Sequence, residues 1–139
     1  MPISKIKPHI INLPEIGELN KGYISLIQVN DLLPFNPKRI YWIHGVKEET
    51  ERGGHYHHKL EQVIICISGK LKISLESTNG FKQTYLLDKP SKALYVPSGY
   101  WRDILFSENT ILLCIASEKY DESDYIRNYE QFKKIINDK

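Results

Sequence analysis

The chain has 139 residues, with 19 lysines and arginines against 17 aspartates and glutamates and a formal net charge of +2. That length can bury one hydrophobic core but not two ordinary ones, and a nearly balanced charge excludes a polybasic nucleic-acid binder or membrane-surface protein. No run reaches transmembrane length, and the opening Met1-Pro2-Ile3-Ser4-Lys5 leads into polar, proline-containing sequence rather than the apolar stretch of a signal peptide.

In chain order, Ile10 to Leu13 is expected as a short strand stopped by Pro14, and Gly17 to Gly22 as a turn. Tyr23 to Val29 follows as a strand, Asp31 to Pro37 as a loop, and Lys38 to Ile43 as a strand of aromatic and β-branched residues on which Arg39 and Tyr41 share a face. Lys47 to Gly54, charged and glycine-bearing, is expected as a loop. It feeds the stretch Arg52-Gly53-Gly54-His55-Tyr56-His57-His58-Lys59-Leu60-Glu61-Gln62, which leads into the apolar run Val63 to Ile67.

Beyond Gly69, Leu71 to Glu76 alternates apolar and polar as a half-buried antiparallel strand does, and Asn79-Gly80 turns it back into Phe81 to Leu86. Leu94-Tyr95-Val96, the turn Pro97-Ser98-Gly99, the strand Tyr100 to Phe106 and the strand Ile111 to Ala116 complete the pattern. Many short strands with turns between them predict an all-β sandwich or closed barrel. From Asp121 the period changes: Tyr125, Ile126, Tyr129, Phe132, Ile135 and Ile136 fall at helical spacing, with Asp121 or Ser123 as cap. An amphipathic helix over 121–137 is expected to pack outside the barrel of a single domain spanning 1–139. Cys66 and Cys114 sit in apolar runs without Cys-x-x-Cys spacing, which reads as buried free thiols and fits the reducing cytoplasm.

The chemistry concentrates on the histidine stretch. On a strand, His55 and His57 project to one face and Tyr56 and His58 to the other, and Glu61 could join the histidine face. The spacing H-x-H-x3-E, an apolar strand and a glycine resembles the first signature of the cupins, jelly-roll β-barrels with a site inside. Their second signature, P-x-G-x-x-H, is present as Pro97-Ser98-Gly99-Tyr100-Trp101-Arg102, with arginine where the last metal ligand would stand. A guanidinium offers a metal no lone pair and repels a cation, so acid–base work by the histidine pair is the favoured reading over metal binding. Arg39, Arg52 and Arg102 could converge on one barrel mouth, where forked donors bind a diphosphate, and Tyr41, Tyr95 and Trp101 could stack a base or sugar.

Four stretches together, Lys38 to Ile43, Arg52 to Gln62, Leu94 to Pro97 and Tyr120 to Tyr129, resemble the dTDP-4-keto-6-deoxyglucose 3,4-ketoisomerases, the WxcM-like sugar isomerases. The resemblance runs over nearly the whole chain. It implies a cofactor-free and metal-independent enzyme of dTDP-linked amino-sugar biosynthesis, acting before a pyridoxal-phosphate aminotransferase on the way to 3-amino-3,6-dideoxyhexoses of surface glycans. It also implies a homodimer with exchanged N-terminal strands, within residues 1–30. The family's catalytic histidines fall on His55 and His57. Two places depart from the family pattern: Leu19-Asn20-Lys21-Gly22 stands where relatives carry Asp-x-Arg-Gly, and Arg102 where several carry histidine.

The implied reaction moves a carbonyl from C4 to C3 through an enediolate. His57 is expected as the main base, His55 as supporting acid, shuttle or oxygen-binding donor, and Tyr41 as a relaying or orienting group. Arg39, Arg52, Arg102, Lys59, Glu61 and Trp101 are the expected substrate-binding residues. The rival readings are a dTDP-sugar 3,5-epimerase, a metal-dependent cupin enzyme and a non-catalytic sugar-nucleotide-binding protein.

Overall fold

Turns at the expected glycines and prolines cut the chain into strands short enough to close on themselves. The computed structural model describes residues 7–137; the opening segment 1–6 and residues 138–139 lie outside the described residues. The strands are β1 (His9–Asn12), β2 (Glu15–Glu18), β3 (Gly22–Ser25), β4 (Arg39–Ile43), β5 (Thr50–His57), β6 (Gln62–Ser68), β7 (Leu71–Ser77), β8 (Lys82–Leu87), β9 (Lys92–Val96), β10 (Tyr100–Phe106), β11 (Ile111–Ala116) and β12 (Tyr125–Ile126), followed by α1 (Tyr129–Asn137).

Two antiparallel sheets, ordered β1-β9-β6-β11-β4 and β12-β5-β10-β7-β8, face each other, while β2 and β3 form a separate hairpin. Neighbours that are far apart in sequence, such as β4 with β11 and β5 with β10, give the jelly-roll topology of a cupin barrel. Alternation decides what lies inside. Ile64, Cys66, Leu71, Ile73, Leu75, Leu94, Ile104, Phe106, Leu112 and Cys114 point between the sheets and form the main core. Both cysteines are buried free thiols.

Each sheet also buries part of its outer face. Val63, Ile65, Tyr95 and Ile115 are covered by Ile11, Leu13 and Leu33 of the N-terminal third. Tyr56 and Trp101 are covered by Ile126 and by Phe132 of α1. Burying a side chain of the size of Phe132 contributes roughly 1.5–3 kcal/mol, which ties the C-terminal helix to the strands that carry the histidines.

Four elements differ from the sequence expectation. The turn expected over Gly17 to Gly22 is narrower, because Glu15–Glu18 and Gly22–Ser25 pair as a hairpin that takes in both its ends. The strand expected over Tyr23 to Val29 ends at Ser25, where its ladder with β2 runs out at Glu15, directly after Pro14. The expected loop up to Gly54 is already strand from Thr50, since β10 pairs with it through Phe106↔Thr50, Leu105↔Glu51 and Ile104↔Arg52. The helix expected over 121–137 begins only at Tyr129. Before it, Asp121 caps a 3₁₀ turn over Glu122–Asp124 by accepting from the Ser123 amide, and Tyr125 and Ile126 pair with His57 and Tyr56 at the edge of β5. The unpaired edge of β5 supplies backbone partners that helical spacing does not register. The helix is capped instead by Asn128, whose Oδ1 accepts from the Gln131 amide at 3.0 Å.

Candidate active site

The barrel opens between the two sheets into a cavity of about 460 Å³. Its wall brings together Arg39 and Tyr41 from β4, Arg52 and His55 from β5, Gln62 from β6, Arg102 from β10, and Tyr125 and Arg127 from the segment before α1.

A β-bulge puts Arg52 and His55 on the same side. They are three residues apart, which in a regular strand means opposite faces. In the β5–β10 ladder Asp103 faces Gly53 and Arg102 faces His55, so Gly54 is the extra residue. Gly53 and Gly54 hold φ of +90° and +65°, and a Cβ on Gly53 would stand 2.9 Å from the Arg102 carbonyl oxygen. Only glycine fits there without moving β5 off β10.

His55 Nδ1 lies 3.1 Å from the Gly53 carbonyl oxygen. A carbonyl can only accept, so Nδ1 carries the proton and Nε2 the lone pair. Burial, and then the Arg102 guanidinium, lowers its pKa from 6.5 to about 4, so the ring is neutral at pH 7. A neutral imidazole with a free Nε2 can accept a proton.

His57 is 1% exposed and lies behind this wall. Its ring meets His55 edge-on at 4.8 Å and Tyr125 at 4.3 Å. Nδ1 donates to Asp124 Oδ2 at 3.2 Å, and the same carboxylate accepts from the Lys59 amide at 2.7 Å and the Leu60 amide at 3.1 Å. Burial first, then Arg102, His55 and Arg39, hold the His57 pKa far below its usual value. The Asp124 carboxylate pulls the other way but is already shared with two backbone amides, so the direction is down. Among the described residues, His57 Nε2 is buried without a partner.

Arg102 is the most unusual group. It is 1% exposed, and its guanidinium donates to Gln62 Oε1 and, at 3.0 Å, to the Tyr100 carbonyl oxygen. Among the described residues no carboxylate pairs with it, and its Nε is buried unpaired. Burial lowers its pKa from 12.5 to about 10, so it keeps its charge at neutral pH. Arg39 stands over the Tyr41 ring at 5.3 Å with its own Nε unpaired, and Arg52 lines the mouth. Arg127 is neutralised by Glu122 at 2.8 Å. A buried cation without a counter-ion is a site made for an anion.

Three expected binding residues stand elsewhere. Glu61 leaves the histidine face because the chain turns after His57, and its carboxylate accepts a hydrogen bond from the Tyr95 hydroxyl on the outer side of the sheet. Trp101 alternates outward from Arg102 and packs with Tyr129 and Phe132, its indole donating to Asp103. Lys59 is exposed and lines a separate surface cleft with Lys38 and Tyr120. The inward place belongs to Gln62, one residue after Glu61, which strict alternation from His57 does not reach. A neutral amide and a guanidinium thus occupy the two positions where a metal cupin puts a carboxylate and a third imidazole, a poor donor set for a cation. Asp124, Tyr125 and Arg127 were hidden in the sequence by helical spacing; their only signal was their place in the Tyr120 to Tyr129 tail.

The profile of a known family, FdtA (WxcM-like, C-terminal), matches residues 6–137. The chain belongs to this family. A TDP-4-oxo-6-deoxy-α-D-glucose-3,4-oxoisomerase from Aneurinibacillus thermoaerophilus is 40% identical over 128 residues, 91% of each protein. Among solved structures, the sugar 3,4-ketoisomerase QdtA of Thermoanaerobacterium thermosaccharolyticum, in complex with TDP, is 35% identical with a TM-score of 0.87, covering 97% of this chain and 98% of its own. A histidine-to-asparagine variant of QdtA has been solved with TDP-4-keto-6-deoxyglucose. A 3,4-ketoisomerase from Helicobacter canadensis is 33% identical with a TM-score of 0.87, covering 94% of this chain and 97% of its own. The FdtA family is therefore one of sugar 3,4-ketoisomerases, and the jelly-roll barrel described above is its fold.

Proposed function

We propose that this FdtA-family protein isomerises TDP-4-keto-6-deoxyglucose to a 3-keto sugar, the step that supplies a 3-aminotransferase. The observation that carries the reading is Arg102: a buried guanidinium without a carboxylate, in ladder register with a histidine held neutral. Removing a proton next to a ketone creates negative charge on oxygen, and a preorganised cation in a dry site stabilises that charge.

The geometry favours His55 rather than His57 as the base, since His55 lines the cavity and His57 is enclosed behind it. His55 Nε2 takes the C3 proton, and the electron pair moves through the C3–C4 bond onto the C4 oxygen. Tyr41 gives that oxygen a proton and takes one back from the C3 hydroxyl, and the His55 imidazolium gives its proton to C4 as the C3 carbonyl forms. Atoms and electrons balance without an outside oxidant. Arg39 and Arg52, nearer the mouth, suit the diphosphate. The face on which C4 is protonated sets a galacto or gluco product, and Arg102 stands beside that choice.

A homodimer with exchanged N-terminal strands belongs to the same reading. It is supported by an apolar groove on the outer face lined by Leu13, Ile27, Ile65, Leu113 and Ile115, beside a β2–β3 hairpin that exposes Ile16, Tyr23 and Ile24. A cytoplasmic setting suits the two unpaired thiols.

The deciding experiment incubates the purified protein with TDP-4-keto-6-deoxyglucose, traps the product with a 3-aminotransferase and reads its configuration by NMR. A 3-amino sugar formed only with both enzymes supports the ketoisomerase, and unchanged substrate overturns it. Deuterium from heavy water at C5 would instead indicate a 3,5-epimerase.

A further inference from the structure

Arg102, Gln62 and Tyr41 form a hydrogen-bonded chain along the cavity wall whose direction is fixed at one end. The Arg102 guanidinium can only donate, so the Gln62 atom it touches must be the amide oxygen. The other end of the amide is then the NH₂ group, which lies 2.9 Å from the Tyr41 hydroxyl and donates to it. Gln62 is 3% exposed and cannot turn over without setting its NH₂ against the guanidinium. The Tyr41 oxygen therefore receives a hydrogen bond from Gln62, and its own proton must point elsewhere. Cys114, facing Tyr41 in the β4–β11 ladder, offers only a thiol, a weak acceptor that a substrate oxygen would displace.

We propose that Gln62 is a positioning residue that polarises Tyr41: relayed from Arg102, its amide fixes the Tyr41 hydroxyl as a donor toward the substrate oxygens. The same neutral amide leaves the Arg102 charge uncompensated, which a carboxylate of the same shape would not. The inference deepens the ketoisomerase reading and rests on it for its kinetic consequence, but the direction of the hydrogen bonds does not depend on the substrate.

Gln62→Glu is isosteric and reverses the relay. A carboxylate accepts from both sides, so it draws the Tyr41 hydroxyl into donating to it and pairs with Arg102. That pairing also removes the free charge that stabilises the enediolate, so Gln62→Glu should lower C3 proton abstraction and isomerisation together. In heavy water, Gln62→Met, which removes the relay and leaves Arg102 charged, is expected to lose isomerisation by about a hundredfold or more while C3 deuterium exchange stays within about tenfold of the unaltered protein, since abstraction uses His55 and the oxygen-to-oxygen transfer uses Tyr41. Gln62→Leu, which removes the same two hydrogen bonds, should show the same split if Gln62→Met does not fold. An equal fall of both rates in Gln62→Met, or isomerisation within threefold of normal there, overturns the proposal.

A readout without substrate separates this inference from the function. In ¹H–¹⁵N spectra of the free protein, one Gln62 side-chain proton should exchange at least tenfold more slowly than those of exposed amides, and Tyr41→Phe should abolish that protection. Fast exchange in the unaltered protein overturns the relay whatever the substrate proves to be. Protection lost in Tyr41→Phe, in a protein that converts no sugar, upholds the relay and overturns the function alone.

Discussion

The two histidines have the same residue type and the same strand face, yet different environments divide their work. His55 holds its Nδ1 proton on a backbone carbonyl and lines the cavity, while His57 is clamped by Asp124 with its ring enclosed. His55→Asn should therefore cut turnover at least about a hundredfold with the fold intact, and more than His57→Asn does. Steady-state rates on both variants check this, and the opposite ranking would return the base to His57. Because folding lowers the His55 pKa to about 4, kcat/KM should stay flat from pH 7 to about 5 and fall only below that. An inflection near 6.5 would contradict it. Stability follows with a defined sign. Unfolded imidazoles take up protons near pH 6.5, whereas the buried ones resist until well below it. The unfolded state thus binds more protons in that window, so the stabilisation is complete above pH 6.5 and is lost as pH falls toward 4. Denaturant midpoints at pH 7.5 and 5.0 should show it, with the lower midpoint at pH 5.0.

At the scale of elements, the bulge in β5 decides whether Arg52 and His55 serve one cavity. It rests on two glycines with left-handed backbone, one of which has no space for a Cβ against β10. Gly53→Ala is expected to destabilise the protein by about 1–3 kcal/mol through backbone strain and to lower turnover more than a surface substitution of equal stability cost. Urea titration paired with rates at matched folded fraction checks this; unchanged turnover would mean that the bulge does not set the site. The segment from Asp121 to Ile126 works in the same way. Its backbone extends the sheet beside the histidines, Asp124 fixes His57, and Tyr125 closes over both rings.

Across the whole molecule, the inner core is closed on both sheets but one outer face is not. Ile40 and Trp42 at the free edge of β4 are 57% and 60% exposed, next to the apolar groove and the β2–β3 hairpin. An edge strand with outward apolar side chains invites a second chain. The protein is expected to sediment as a dimer at micromolar concentration, and Trp42→Lys combined with Ile24→Lys to shift it toward monomer. A native protein that sediments as a monomer would sink the dimer reading.

The sequence alone determined whatever depends on local pattern. Alternation marked the strands, Asn79-Gly80 and Pro97-Ser98-Gly99 marked turns, and the Arg52 to Gln62 block carried both the histidine pair and the family resemblance. It also placed Arg102 where a metal ligand would stand, and with it the argument for acid–base chemistry. Only the tertiary structure decided which inward positions meet. Period-2 counting fails across the bulge at Gly54 and across the turn after His57, so Arg52 joined the site while Glu61 yielded its place to Gln62. Helical spacing hid Tyr125, because the free edge of β5 offered that segment backbone partners better than a longer helix would have. Such choices depend on hydrogen-bond partners that are distant in sequence, and no local pattern encodes them.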